Sequence, residues 1–154
     1  MTSACDIYQA HLDKVSRLLW DGDAESVANM LYYPHVIHLP EADRVISNPA
    51  EQSKDAEAFR ESLSALGATA FHRLCREARF DPDTPDRIIG VHTTYVMHGG
   101  SYLTDPYDCA MSLLKQTDGR WLADAIRVSV RNSGMAYYHR DNIFNRPKNQ
   151  TSND

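Results

Sequence analysis

Little in this chain announces a specialised class. Its 154 residues hold three cysteines, Cys5, Cys75 and Cys109, an odd number at wide spacing without a CxxC pair. That pattern argues against a disulfide frame or a zinc site and fits reduced thiols. No stretch approaches the roughly 20 apolar residues that cross a bilayer, and the opening "MTSACDIYQA" has no basic region followed by an apolar run. No membrane span or secretion leader is expected, the location is expected to be cytoplasmic, and the sequon at Asn149-Gln150-Thr151 is read as chance. Positive charge is also scarce: 16 Lys and Arg stand against 21 Asp and Glu, a formal net charge of -5, and the basic residues are scattered. Nucleic acid needs clustered positive charge and is not an expected partner. There is no Gly-rich phosphate loop, GxSxG elbow or HExxH spacing, so no metal or cofactor is expected.

What is present is ordinary globular material, 42% apolar and 24% charged, enough for one domain. From Cys5 to Trp20, the residues Ile7, His11, Val15, Leu18 and Leu19 fall on one helical stripe that Gly22 stops. Asp23 is a plausible N-cap for a short second helix carrying Val27, Met30 and Leu31 and closed by Pro34. "HVIHL" and "RVIS" read as a small hairpin. Asn48-Pro49-Ala50-Glu51 announces a third helix with a stripe of Ala56, Phe59, Leu63 and Leu66, beginning there or near Asp55, and Gly67 ends it. Four long strand candidates follow, "TAFHRLCREARF", "DRIIGVHTTYVMH", "YDCAMSLLKQ" and "RWLADAIRVSVR", the last two joined by an Asp118-Gly119 turn. Helices first and a meander afterwards imply an α+β domain over residues 1–131, with helices covering a curved, mainly antiparallel sheet. Residues 132–154 lose periodicity and read as a C-terminal tail with a mobile end.

The segments "LLWDGDAESVANMLYYPHVIHLP" and "LLKQTDGRWLADAIRVSV", together with the element order, resemble the nuclear transport factor 2-like superfamily, and within it the SnoaL-like branch. The resemblance implies a cystatin-like cone, a half-barrel whose three helices pack on the sheet around a pocket, and a homodimer formed through the outer sheet face. It is specific for fold and not for function, because isomerases, dehydratases, cyclases and non-catalytic modules share the shape. The ketosteroid isomerase pattern has an acid before the strand-ending proline and a tyrosine in the first helix; this chain has Leu39 and Val15 there. Where the limonene epoxide hydrolase pattern has an acid, this chain has Ile126.

Alternation along the last strand puts Leu122, Asp124, Ile126 and Val128 in one row, which the resemblance turns inward. A carboxylate there would lose hydration, and its raised pKa would suit acid or base work. The competing reading is a salt bridge at the rim, to an arginine such as Arg79. His38 is the expected proton partner, although the two family patterns disagree over whether His38 or His35 points inward. In the strand "RIIGVHTTYVMH" the more apolar row, Ile89, Val91, Thr93, Tyr95 and Met97, is expected to face the cavity. Tyr95 would then polarise a carbonyl or sit as a core aromatic, and His92 and His98 would lie outside. Trp20 and Tyr33 are aromatic anchors of helix on sheet and, with Met97 and Ile126, the candidate ligand contacts. His11 either projects into the pocket or is a satisfied core residue.

The function expected is a pocket for a small hydrophobic molecule, with cofactor-free acid-base chemistry of an isomerase, dehydratase or aldol-type cyclase. The alternatives are a non-catalytic binding or assembly module, or the small subunit of a larger enzyme docking through Tyr137, Tyr138, Ile143 and Phe144.

Overall fold

Ser3 and Gly22 bracket the first helix, α1 (Ala4–Asp21): the Ser3 hydroxyl accepts the Asp6 N–H, and Gly22, at φ 79°, closes the last turn on the Leu18 and Leu19 carbonyls. The computed structural model describes residues 2–129. Along α1 the stripe Ala4, Tyr8, His11, Leu12 and Val15 is buried, as its spacing predicts.

The second helix is shorter than expected. Asp23 caps α2 (Ala24–Ala28), but Met30 and Leu31 lie outside it, and β1 (Leu31–His38) runs straight through Pro34. Two adjacent tyrosines followed by proline favour extended backbone over a further helical turn. The Met30 carbonyl instead accepts the Ala123 N–H, and the Tyr33 hydroxyl donates to the Ala28 carbonyl at 2.6 Å. β2 (Asp43–Ile46) completes the hairpin. α3 (Pro49–Leu66) begins at the Asn-Pro signal rather than at Asp55, with Asn48 accepting the Glu51 N–H and Glu51 accepting the Ser47 N–H.

The remaining strands are β3 (Ala70–Phe80), β4 (Arg87–His98), β5 (Ser101–Tyr102), β6 (Tyr107–Lys115) and β7 (Trp121–Val128). Their order in the sheet is β2-β1-β7-β6-β4-β3, all neighbours antiparallel except β1 and β7. β5, which sequence reading placed in a loop, adds two pairs to β4 beyond the Gly99-Gly100 turn. The architecture is therefore the expected α+β one, helices packed on a mostly antiparallel open sheet. Tyr8 and Leu12 of α1 meet Ile88, Met111, Leu113 and Ala123 in the main core, and Val15, Val27 and Ala56 knit the three helices together.

Two strands differ from the expected parity. In β4 the helix-facing row is Ile88, Gly90, His92, Thr94 and Val96, so Tyr95 and Met97 stand on the outer face. Gly90 is the reason, because it lies directly under the Tyr8 ring and only a residue without a side chain lets α1 approach so closely. In β7 a bulge intervenes: Ala123 pairs with Leu113 and Ala125 with Ser112, leaving Asp124 as the extra residue. Trp121 and Ala123 face the helices before the bulge, Ile126 and Val128 after it. The cysteines are thiols, with the Cys5 and Cys75 sulfurs 3.2 Å apart across α1 and β3. Among the described residues no helix is long and apolar enough to cross a membrane. The tail expected over 132–154, with its docking aromatics, lies outside the described residues.

Candidate functional site

Between the helices and the sheet lies a cavity of about 160 Å³. Its walls are mainly apolar: Val15 and Leu19 from α1, Phe59 from α3, Phe71 from β3, Met111 from β6, Ile126 and Val128 from β7. Into this setting project the imidazoles of His11, His35 and His92, the Arg73 guanidinium, the Gln52 amide and the Asp55 carboxylate. An engineered apolar cavity of about 150 Å³ admits benzene, which sets the scale of what fits in the enclosed part.

Each histidine is fixed by one nitrogen. His11 Nε2 lies 3.1 Å from the Met30 carbonyl and His35 Nδ1 lies 3.0 Å from the Ala123 carbonyl. A carbonyl only accepts, so both nitrogens carry the proton, and the other nitrogen of each neutral ring is a lone-pair base. His11 Nδ1 is buried and has no partner among the described residues. Burial lowers the His11 pKa to about 4, with the Met30 carbonyl pulling it back and Arg73 and His35 pushing it further down. Burial also lowers that of His35, against the opposing influence of the Ala123 carbonyl, Asp124 and Asp55. His92 Nδ1 sits 2.6 Å from the Tyr8 hydroxyl, whose pKa burial raises. His92 itself falls to about 3, through burial first and then the charge of Arg73 and the nearby His11. All three rings are neutral near pH 7.

The charged groups are arranged unevenly. Arg44 and Asp55 form an ion pair at 2.8 Å. Arg73 lies beneath α1, its Nε donating to Ser16 Oγ at 2.9 Å. The buried Gln52 Oε1 has no partner among the described residues.

The residues expected from sequence are dispersed. Asp124 does not line the cavity. On the bulge it turns to the outer face, accepting a hydrogen bond from Ser112 Oγ and pairing with Arg87 at 3.2 Å, so the rim salt bridge exists but its partner is Arg87 and not Arg79. His38 points away too, bonded to Asp43 at 2.9 Å, while His35 and Ile37 of β1, and Leu39 just beyond it, line the cavity. Tyr95 stacks obliquely on Tyr102 on the outer face, centroids 6.2 Å apart, and Met97 shares its row. Trp20 lies under Arg60 at 4.8 Å and faces a separate groove between α1 and β3. Tyr33 packs in the core beside α2. Ile126 alone of that set lines the cavity. Sequence reasoning weighed His11 and His35, but it placed His92 outside and did not single out Arg73, Gln52 or Asp55. Gly90 was the available signal for His92, since a strand glycine marks the row that a neighbouring element approaches.

No protein-family model matches the sequence, and no curated protein matches it. Solved structures do match in fold. A domain of unknown function with a cystatin-like fold from Nostoc punctiforme is similar at TM-score 0.65 and 12% identity, over 85% of this chain and 80% of that one. An NTF2-like protein with a cystatin-like fold from Novosphingobium aromaticivorans is similar at TM-score 0.60 and 11% identity, over 87% and 86%. A protein of unknown function from Mycobacterium tuberculosis matches at TM-score 0.59 and 18% identity, over 79% and 72%.

Proposed function

From a cystatin-like, NTF2-like cone with a polar-edged apolar cavity, we propose that this chain binds a small, mostly apolar carbonyl or hydroxyl compound and moves protons on it with its own side chains, as a cofactor-free isomerase, dehydratase or aldol-type cyclase does. The observation that supports this is the pinning of His11 and His35 by backbone carbonyls, which leaves each imidazole one basic nitrogen. A neutral, oriented imidazole in an apolar cavity presents a lone pair that can take a proton as a general base. His35 is the better base of the two. The Ala123 carbonyl, Asp124 and Asp55 all favour its protonated form, whereas Arg73 and its imidazole neighbour both disfavour protonation of His11. Proton abstraction next to a carbonyl builds charge on the oxygen, which the Arg73 guanidinium and a hydrogen bond from the neutral His92 ring would stabilise.

The chemistries named share one elementary step, exchange of a proton alpha to a carbonyl. Small cyclic ketones incubated with the full-length protein in D2O, followed by proton NMR, report that step directly. Wild-type protein is expected to accelerate exchange, and His35→Asn to slow it by about 10²-fold or more, the usual loss of a positioned base. Equal rates in wild type, His35→Asn and His11→Gln would sink the catalytic reading and leave a binding module.

A further inference from the structure

Arg73 places a positive charge on the cavity wall that Asp13 supports from beyond ion-pair distance. Its Nε donates to Ser16 Oγ at 2.9 Å, its Nη2 makes a 3.4 Å contact to the Leu12 carbonyl, and its guanidinium lies 5.7 Å from the centre of the Phe71 ring. Among the described residues none of the ion pairs involves Arg73, and the carboxylate of the cavity, Asp55, is paired with Arg44. A guanidinium keeps its charge in a protein, and where it lines an apolar cavity a bound anion is a favourable partner for it.

A second donor stands beside it. Arg73 pairs with Thr94 across β3 and β4, two positions along the inward row from His92. Among the described residues the Tyr8 hydroxyl has His92 Nδ1 as its one hydrogen-bond partner. A hydroxyl donating into Nδ1 satisfies both groups, and this assignment puts the imidazole proton on Nε2. That Nε2–H is fully buried and unpartnered among the described residues. A cation and a desolvated N–H on the wall of one apolar cavity are what a carboxylate requires. The basic nitrogens of His11 and His35 and the Gln52 carbonyl oxygen, on the same cavity's wall, accept rather than donate.

We propose that the cavity takes a small, otherwise apolar carboxylic acid, its carboxylate held by Arg73 and His92 Nε2–H and its hydroxyl group donating to the acceptors that His11, His35 and Gln52 present. This rests on the reading above in placing the ligand within the cavity, and it narrows that ligand to a hydroxy acid with about one ring's worth of carbon.

Isothermal titration of the full-length protein with cyclohexanecarboxylate and with its neutral isostere cyclohexanecarboxamide tests the anion site without requiring turnover. The carboxylate is expected to bind about tenfold more tightly or better, in line with a charge-assisted pair of donors. Arg73→Gln is expected to erase the preference, and Arg73→Lys to keep part of it. An amide bound as well as the carboxylate, no saturable binding of the carboxylate, or a preference that survives Arg73→Gln overturns the proposal. Should Arg73→Gln fail to fold, the wild-type comparison of acid and amide decides alone. The failures remain distinguishable: carboxylate binding without α-proton exchange removes the catalytic reading only, and exchange of neutral ketones without carboxylate preference removes the anion site only.

Discussion

Gly90 lets Tyr8 reach His92. A Cβ at position 90 would lie within 3.0 Å of three Tyr8 ring carbons, and the ring is fully buried with nowhere to retreat. Gly90→Ala is therefore expected to cost about 1–3 kcal/mol through overpacking, seen as a lower urea midpoint. Unchanged stability would show that α1 rides up without penalty. The histidines set the pH response at the same scale. Their folded pKa values lie below the ordinary 6.5, about 4 for His11 and about 3 for His92. The unfolded chain takes up protons below 6.5 that the native rings refuse. Stability is thus full above about pH 6.5 and falls as pH drops toward each folded value, by up to about 1.4 kcal/mol per pH unit for each ring. Urea titrations between pH 7 and 5 are expected to show this slope, and His11→Gln to flatten it. A flat wild-type profile would mean that the rings are not held neutral.

At the scale of the element, the bulge in β7 decides which side chains meet the cavity. One extra residue converts the inward row from Trp121 and Ala123 to Ile126 and Val128 and turns Asp124 outward. There Asp124 joins β7 to Ser112 of β6 and Arg87 of β4. Asp124→Ala is expected to lower stability by about 1–2 kcal/mol, discounted for the partial exposure of both ionic partners, and, since Asp124 favours protonated His35, to slow α-proton exchange far less than His35→Asn does. Loss of exchange in a folded Asp124→Ala protein would return that carboxylate to the catalytic machinery. Elements with strong local signals were legible: Asn48-Pro49 and Gly67 framed α3, and Asp118-Gly119 framed the last hairpin. The bulge had no such signal, because "LADA" fits either parity and cross-strand pairing alone selects between them. In β4 apolarity does not mark the inner row, because the inner face is polar, with His92 and Thr94, where it borders the cavity.

For the whole molecule, the outer sheet face carries Leu74, Ile89, Val91, Tyr95 and Met97, with Leu74 50% exposed and the neighbouring Tyr102 57%. We propose that this face pairs with a second copy of the chain, its apolar side chains flanking the Arg76–Thr93–Asp108 hydrogen bonds at the middle of the row. Sedimentation of the wild-type protein is expected to give a dimer, and Val91→Glu a monomer with its helical content intact. A wild-type monomer at every concentration would refute it.

The sequence by itself determined the order of elements, the α+β class, the helix caps and the hairpin turn, because these follow from local periodicity and from residues whose backbone preferences act over a few positions. Tertiary structure alone decided which face each strand turns inward. A bulge and a close helix approach are set by partners distant in the chain: the first turned Asp124 out of the cavity, and the second turned Tyr95 out and His92 in.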